Sequence, residues 1–82
     1  MKPASYEIVE RESCPECLVI RDNGPWNLYS TITNAAEAVV KELYANSKLV
    51  EGQMLLYYDS DNNLDELVHK DGKFVGFRKG PK

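Results

Sequence analysis

The chain is 82 residues long, 43% hydrophobic and 28% charged, with a formal net charge of −3. That composition predicts one small folded α+β domain spanning 1–82 and argues against a disordered chain. The charge is uneven: residues 1–69 hold twelve acids against five bases, whereas beyond them Lys70, Lys73, Arg78, Lys79 and Lys82 face Asp71 alone.

An acidic body of this kind repels phosphate backbones, which argues against nucleic acid as a partner even though the basic end could touch one. The first twenty residues carry Lys2, Glu7, Glu10, Arg11, Glu12 and Glu16, so no apolar leader is expected. No run approaches the roughly 20 apolar residues of a membrane span. The expectation is a cytoplasmic protein with no membrane contact, its two cysteines reduced.

Taken in chain order, residues 5–12 alternate, with Tyr6 and Ile8 pointing one way and Glu7, Val9 and Arg11 the other, the pattern of a half-buried strand. Pro15 punctuates the stretch from Ser13 to Glu16. Residues 17–21 form a second strand-like run rich in Val and Ile, so a hairpin closed by the Cys14-Pro15-Glu16-Cys17 loop is expected. Asp22-Asn23-Gly24-Pro25 reads as a tight turn. Trp26, Leu28, Tyr29 and Ile32 then make an apolar approach to a helix, with Trp26 expected to seal one end of the core.

The helix is the organising element. Over Thr31 to Tyr44, Ala36, Val39, Val40, Leu43 and Tyr44 recur at helical spacing on one face. Asn34 is placed to cap its start, with Glu37 three residues on as in a capping box. Glu37 and Lys41 face solvent one turn apart. Asn46 is the expected left-handed terminus, after which Ser47 to Gly52 crosses back with Leu49 or Val50 tucked in.

Residues 53–58 are the most apolar run and predict a central strand covered on both faces. Asp59 to Asn63 is a polar turn. Asp71-Gly72 sits between two strand-like runs, 64–70 and 73–78, and predicts a type I′ hairpin because both turn positions need positive φ. A two-residue loop then sets His69 opposite Phe74, Val68 opposite Val75, Leu67 opposite Gly76 and Asp65 opposite Arg78. Val68, Val75 and Phe77 would share one face, and Leu67, His69 and Phe74 the other. The predicted order is ββαβββ. This is an α+β, two-layer architecture with one helix packed on a mainly antiparallel sheet, its ends at 1–4 and 79–82 frayed.

Several residues could carry chemistry. Cys14 and Cys17 form a CxxC pair, half of a tetrahedral zinc site that needs two more ligands, and His69 is the only further soft donor. A second subunit could donate the other pair across a two-fold axis, giving a metal-bridged homodimer. A thiol-active reading competes, but Leu18-Val19-Ile20 after Cys17 predicts a strand where a reactive CxxC opens a helix. The plainer reading makes them two small residues of a hairpin loop, with no cofactor. Asp59 to Asn63 resembles the start of a calcium loop, yet Leu64 stands where glycine is required and Lys70 where the bidentate glutamate belongs. His69 with Thr31, Thr33 and Asn34 at the helix start could serve a ligand-binding domain or an enzyme. No glycine-rich phosphate loop, nucleophile elbow or paired carboxylates support catalysis.

Trp26, Tyr29, Tyr57 and Tyr58 are many large rings for so short a chain. Tyr57 and Tyr58 point to opposite faces of one strand, so only one can face the helix. The other, with Trp26 or Tyr29, is expected on the open face of the sheet, a profile of protein-binding surfaces. The equally weighted alternative is that the rings enlarge a small core. The leading expectation is a non-enzymatic interaction or regulatory module that binds another protein or itself.

Overall fold

The computed structural model describes residues 5–23, 26 and 32–80, with Ile32 by its backbone alone. Six elements follow in order: β1 (Tyr6–Val9), β2 (Leu18–Asp22), α1 (Ile32–Ala45), β3 (Leu55–Tyr58), β4 (Leu64–Lys70) and β5 (Lys73–Lys79). The strands form one five-stranded sheet in sequence order, and α1 packs on one of its faces. This is the two-layer α+β arrangement that the periodicities predict. The expected turn at Gly24-Pro25, the approach through Leu28 and Tyr29, and the chain ends 1–4 and 81–82 lie outside the described residues.

Three antiparallel pairings and one parallel pairing build the sheet, the parallel one joining β2 and β3. The reason is topological. A tight turn reverses the chain, whereas the connection from β2 to β3 contains α1 and returns the chain to the same end of the sheet. Helix rows Ala35–Val39–Leu43 and Ala36–Val40 are all buried, over Leu18 and Ile20 of β2, Leu55 and Tyr57 of β3 and Leu67 of β4. The predicted helix face is therefore present, with Ala35 as an addition. Small side chains at the first turn let the helix axis approach the sheet closely, and Glu37 and Lys41 face solvent.

The helix ends differ from expectation. It already begins at Ile32, so Asn34 stands inside the first turn and not at the cap. At the other end Ser47, not Asn46, takes the left-handed conformation, with φ 57°. Lys48 N–H donates to Leu43 C=O at 2.8 Å and Ser47 N–H to Tyr44 C=O at 3.1 Å. These two bonds are a Schellman motif, which satisfies carbonyls that the last turn would otherwise orphan. The turn sends Leu49 into the core and leaves Val50 59% exposed.

The Asp71-Gly72 turn has positive φ at both positions, 54° and 77°, as a type I′ hairpin requires. Pairing begins as expected with Lys70 opposite Lys73 and His69 opposite Phe74, but a bulge then shifts the register. Val68 faces Gly76 and not Val75, Leu67 faces Phe77 and not Gly76, and Asp65 faces Lys79 and not Arg78. Val75 is the extra residue, 63% exposed. The bulge has a packing reason. Phe74 and Phe77 are three apart, so a regular strand would put them on opposite faces. With one residue looped out they share a face, and their rings meet edge to face at 5.1 Å. Pairing also runs on through Lys79, a residue expected in the frayed end.

Candidate functional site

The pairings assign every strand residue to a face. Tyr6, Ile8, Leu18, Ile20, Asp22, Leu55, Tyr57, Asp65, Leu67, His69, Phe74 and Phe77 share the helix side. Trp26 and Tyr57 are both buried, stacked at 4.5 Å with 17° between planes. Trp26 Nε1–H donates to Ser5 C=O at 2.9 Å, and the Tyr57 hydroxyl donates to the Asp22 carboxylate at 3.1 Å. These two rings therefore belong to the core and are out of a partner's reach. Trp26 seals the core end as expected. Burial first, then the charge and hydrogen bond of Asp22, push the Tyr57 hydroxyl well above its ordinary range. At the edge, burial and the Glu42 carboxylate, to which Tyr6 donates at 2.5 Å, push Tyr6 up to about 12.

Of the four rings singled out from sequence, Tyr58 is the one on the opposite face, and Tyr29 lies outside the described residues. Tyr58 is half-buried beneath the Arg21 guanidinium, which sits 5.0 Å from the ring centroid and donates to Asn62 Oδ1 at 2.6 Å. Register places Val9, Val19, Leu56, Leu64 and Val68 on this same face. Leu56 and Val19 are fully buried here although α1 lies on the other side. Charged residues share the face with this apolar strip: Glu7, Arg21, Glu66, Lys70, Lys73 and Arg78, with Arg78 and Glu66 3.9 Å apart. The apolar run 53–58, expected from sequence to be a strand covered on both faces, marks the β3 part of this strip; Val9, Val19, Leu64 and Val68 join it only through pairing with other strands.

The CPEC loop joins β1 to β2. Cys14 and Cys17 form a disulfide with Cα atoms 5.4 Å apart, where free thiols were expected. The chain brings them together by a turn: Cys17 N–H donates to Cys14 C=O, and Cys14 N–H to Arg11 C=O, both at 3.1 Å. Donor atoms of Cys14, Glu16 and Cys17 lie within 4.8 Å of one another. A half-open cleft of about 450 Å³ runs beside the loop, bounded by Ile8, Val9, Arg11, Cys14, Leu18 and Val19. Glu10, Glu12 and Glu16 outnumber Arg11 here, and the loop runs into a strand. Neither feature activates a thiolate.

His69 does not join this group. Its Nε2 sits 2.6 Å from Gln53 C=O, which can only accept, so Nε2 carries a proton and has no lone pair for a metal. Its Nδ1 faces the Tyr44 hydroxyl at 2.6 Å, and that hydroxyl also reaches Glu51 at 3.1 Å. Burial and then the Glu51 carboxylate raise Tyr44 above the ordinary phenol range. Gln53 is the junction that sequence reasoning overlooked: its side chain accepts from Val50 N–H and donates to Glu16 C=O, both at 3.2 Å. The junction braces the CPEC loop against the segment that leads into β3. His69 thus serves packing and bracing, and it is not placed beside either cysteine to act as base.

The other sequence candidates resolve into structure. The Asp59 carboxylate accepts from Asp61 N–H and Asn63 N–H at 2.9 Å each, so this turn satisfies itself. Thr33 and Asn34 are exposed on the first turn of α1, and Thr31 lies outside the described residues. No helix among the described residues is long and apolar enough to cross a membrane. No protein-family model matches the chain, and no curated protein or solved structure matches it significantly.

Proposed function

We propose that this chain is a non-enzymatic protein-interaction module whose working surface is the open face of the sheet. One observation carries the reading: Val9, Tyr58, Leu64 and Val68, all half-buried, share a face opposite the helix. An antiparallel sheet with one solvated face ordinarily alternates apolar inside and polar outside. Here β3 is apolar on both sides. Tyr58 and Arg21 supply the stacked aromatic and guanidinium pair that anchors many interfaces. The test is capture of a binding protein by the parent and by Tyr58→Asp and Val68→Glu, with circular dichroism and melting confirming that the variants fold. Capture lost with the fold retained supports the reading; capture unchanged in both variants removes it.

A second reading concerns the CPEC loop and is favoured by the three clustered donors of Cys14, Glu16 and Cys17. In the cytoplasmic setting proposed from composition, the pair would be a dithiol. Two thiolates and one carboxylate are a fitting donor set for zinc, which would need one more ligand. Native mass spectrometry of the reduced protein with added zinc, before and after chelation, tests it. Retained zinc that is lost on chelation, and absent from the Cys14→Ser, Cys17→Ser variant, supports the site; a bare reduced protein retires it.

A further inference from the structure

We propose that Cys14 and Cys17 form a reversible redox switch whose state the rest of the domain senses through Gln53. The switch uses neither the open face nor zinc, so it stands apart from both readings above. Its two states are the disulfide seen in the structure and the dithiol that a cytoplasmic setting favours. The turn keeps the two cysteines together in either state. Cys17 N–H donates to Cys14 C=O and Cys14 N–H to Arg11 C=O, and neither bond uses a sulfur. Both cysteines are half-buried, and they border the cleft of about 450 Å³, a volume within the range of small-molecule sites. A small monothiol can therefore reach them.

Glu16 lies inside the ring that the disulfide closes, and its C=O accepts from the Gln53 side chain at 3.2 Å. Leu18 N–H, just beyond the ring, donates to Met54 C=O at 3.0 Å. Gln53 C=O accepts from His69 Nε2, His69 Nδ1 meets the Tyr44 hydroxyl, and Glu51 joins that hydroxyl to Asp71 N–H at 2.8 Å. One chain of contacts at hydrogen-bond distance thus runs from the disulfide ring to the β4–β5 turn. A two-state element touching such a chain is the physical requirement for coupling. The chemistry is thiol–disulfide exchange with a glutathione-class monothiol. Its thiolate attacks one sulfur, and the other cysteine leaves as a thiolate and takes up the proton. A second monothiol then displaces the first from the mixed disulfide. The protein gains two electrons and two protons, and the two monothiols become one disulfide. The reverse exchange closes the ring. Glu10, Glu12 and Glu16 disfavour thiolates at the loop, so exchange is slow and the pair follows the thiol pool without turning over a substrate. Reduction frees residues 14–17 from the ring and releases Gln53 from Glu16. The Gln53–Glu16 bond then favours the disulfide, and because coupling is reciprocal, cutting it makes the disulfide easier to reduce.

The experiment equilibrates the parent, Gln53→Ala and Gln53→Met with reduced and oxidised glutathione over a range of ratios, with chelator present to keep metal out. Alkylation and intact mass give the dithiol fraction, and circular dichroism confirms folding. The parent is expected to interconvert fully and reversibly while folded. Both variants should be half reduced at a ratio of squared glutathione to its disulfide lower by about threefold or more, the factor that one hydrogen bond supplies. Amide exchange at Asp71, the far end of the chain of contacts, should quicken about twofold or more on reduction of the parent and not of the variants. A parent that is reduced only when unfolded makes the disulfide a fixed staple and overturns the proposal. So do folded variants that share the parent's midpoint, or an Asp71 exchange rate that ignores the redox state. If Gln53→Ala fails to fold, Gln53→Met keeps the side-chain length without the donor, and the Asp71 measurement on the parent decides alone if both fail. With metal excluded throughout, every one of these outcomes leaves the zinc reading and the open-face reading to their own tests.

Discussion

Replacing Tyr57 with Phe removes one oxygen from the core and leaves the ring stacked on Trp26. The lost group is the hydroxyl that donates to the buried Asp22 carboxylate at 3.1 Å. A hydrogen bond to a charged group contributes about 1.5–3 kcal/mol. Asp22 retains other interactions, so a loss near the lower end, about 1–2 kcal/mol, is expected. For a domain of this size each 1 kcal/mol lowers Tm by about 4–8 °C. The same substitution changes the alkaline limb of stability. Burial and the Asp22 charge hold the Tyr57 hydroxyl protonated in the folded state, above its ordinary value of 10.0. The unfolded chain therefore loses that proton first. Its contribution is fully present below pH 10 and lost as pH rises above it. Tyr6, raised to about 12, acts in the same direction, so parent stability should fall from pH 10 upward. Urea titrations at pH 7, 9, 10 and 11 should show Tyr57→Phe less stable at neutral pH but falling less steeply above pH 10. A variant within 0.5 kcal/mol of the parent at pH 7, with an unchanged alkaline slope, would refute the buried Tyr57–Asp22 bond (a margin set by the usual scatter of about 0.5 kcal/mol for surface changes).

Two further outcomes follow from the backbone. Ser47→Gly should raise stability by about 0.5–1 kcal/mol, because Ser47 holds a left-handed φ of 57° that glycine adopts without strain; a lower Tm would show that the Ser47 side chain contributes more than its backbone costs. Deleting Val75 removes the bulge and leaves Phe74 and Phe77 two apart on a regular strand, so both stay on the helix side opposite His69 and Leu67. Stability should change by only about 0.5 kcal/mol, as for a surface change, with amide protection across β4 and β5 retained. A loss of about 2 kcal/mol or more, the range of a truncated core aromatic, would refute the reading of Val75 as the looped-out residue.

Much of the fold was legible locally. The 3.6-residue recurrence from Ala36 to Leu43 needs only neighbours within two turns, and the helix stands where that recurrence puts it. Asp71-Gly72 specifies its turn because two consecutive positive φ values suit few other dipeptides. The strand order ββαβββ follows from alternation and punctuation. The candidate site was less legible. Tyr57 and Tyr58 were recognised as facing opposite ways, but nothing in their own stretch distinguishes the inner ring from the outer one.

That distinction, and the others like it, came from partners distant in sequence. Trp26 stacking on Tyr57, and Asp22 accepting its hydroxyl, place Tyr57 inside; Arg21 over Tyr58 marks the outer ring. The bulge at Val75 depends on Leu67 and Phe74 holding Phe77 to their side. His69 finds its acceptor on Gln53 and its phenol on Tyr44, neither of them close in sequence. The charge pairs on the open face, Glu7 with Arg21 and Glu66 with Arg78, exist only once the strands lie in register, because adjacent charges on a sheet come from different segments of chain. Propensity and periodicity are properties of a few consecutive residues and so can be read from sequence. Which face a residue occupies relative to the helix, and what it meets there, is set by pairing across the sheet, and only the tertiary structure decided it.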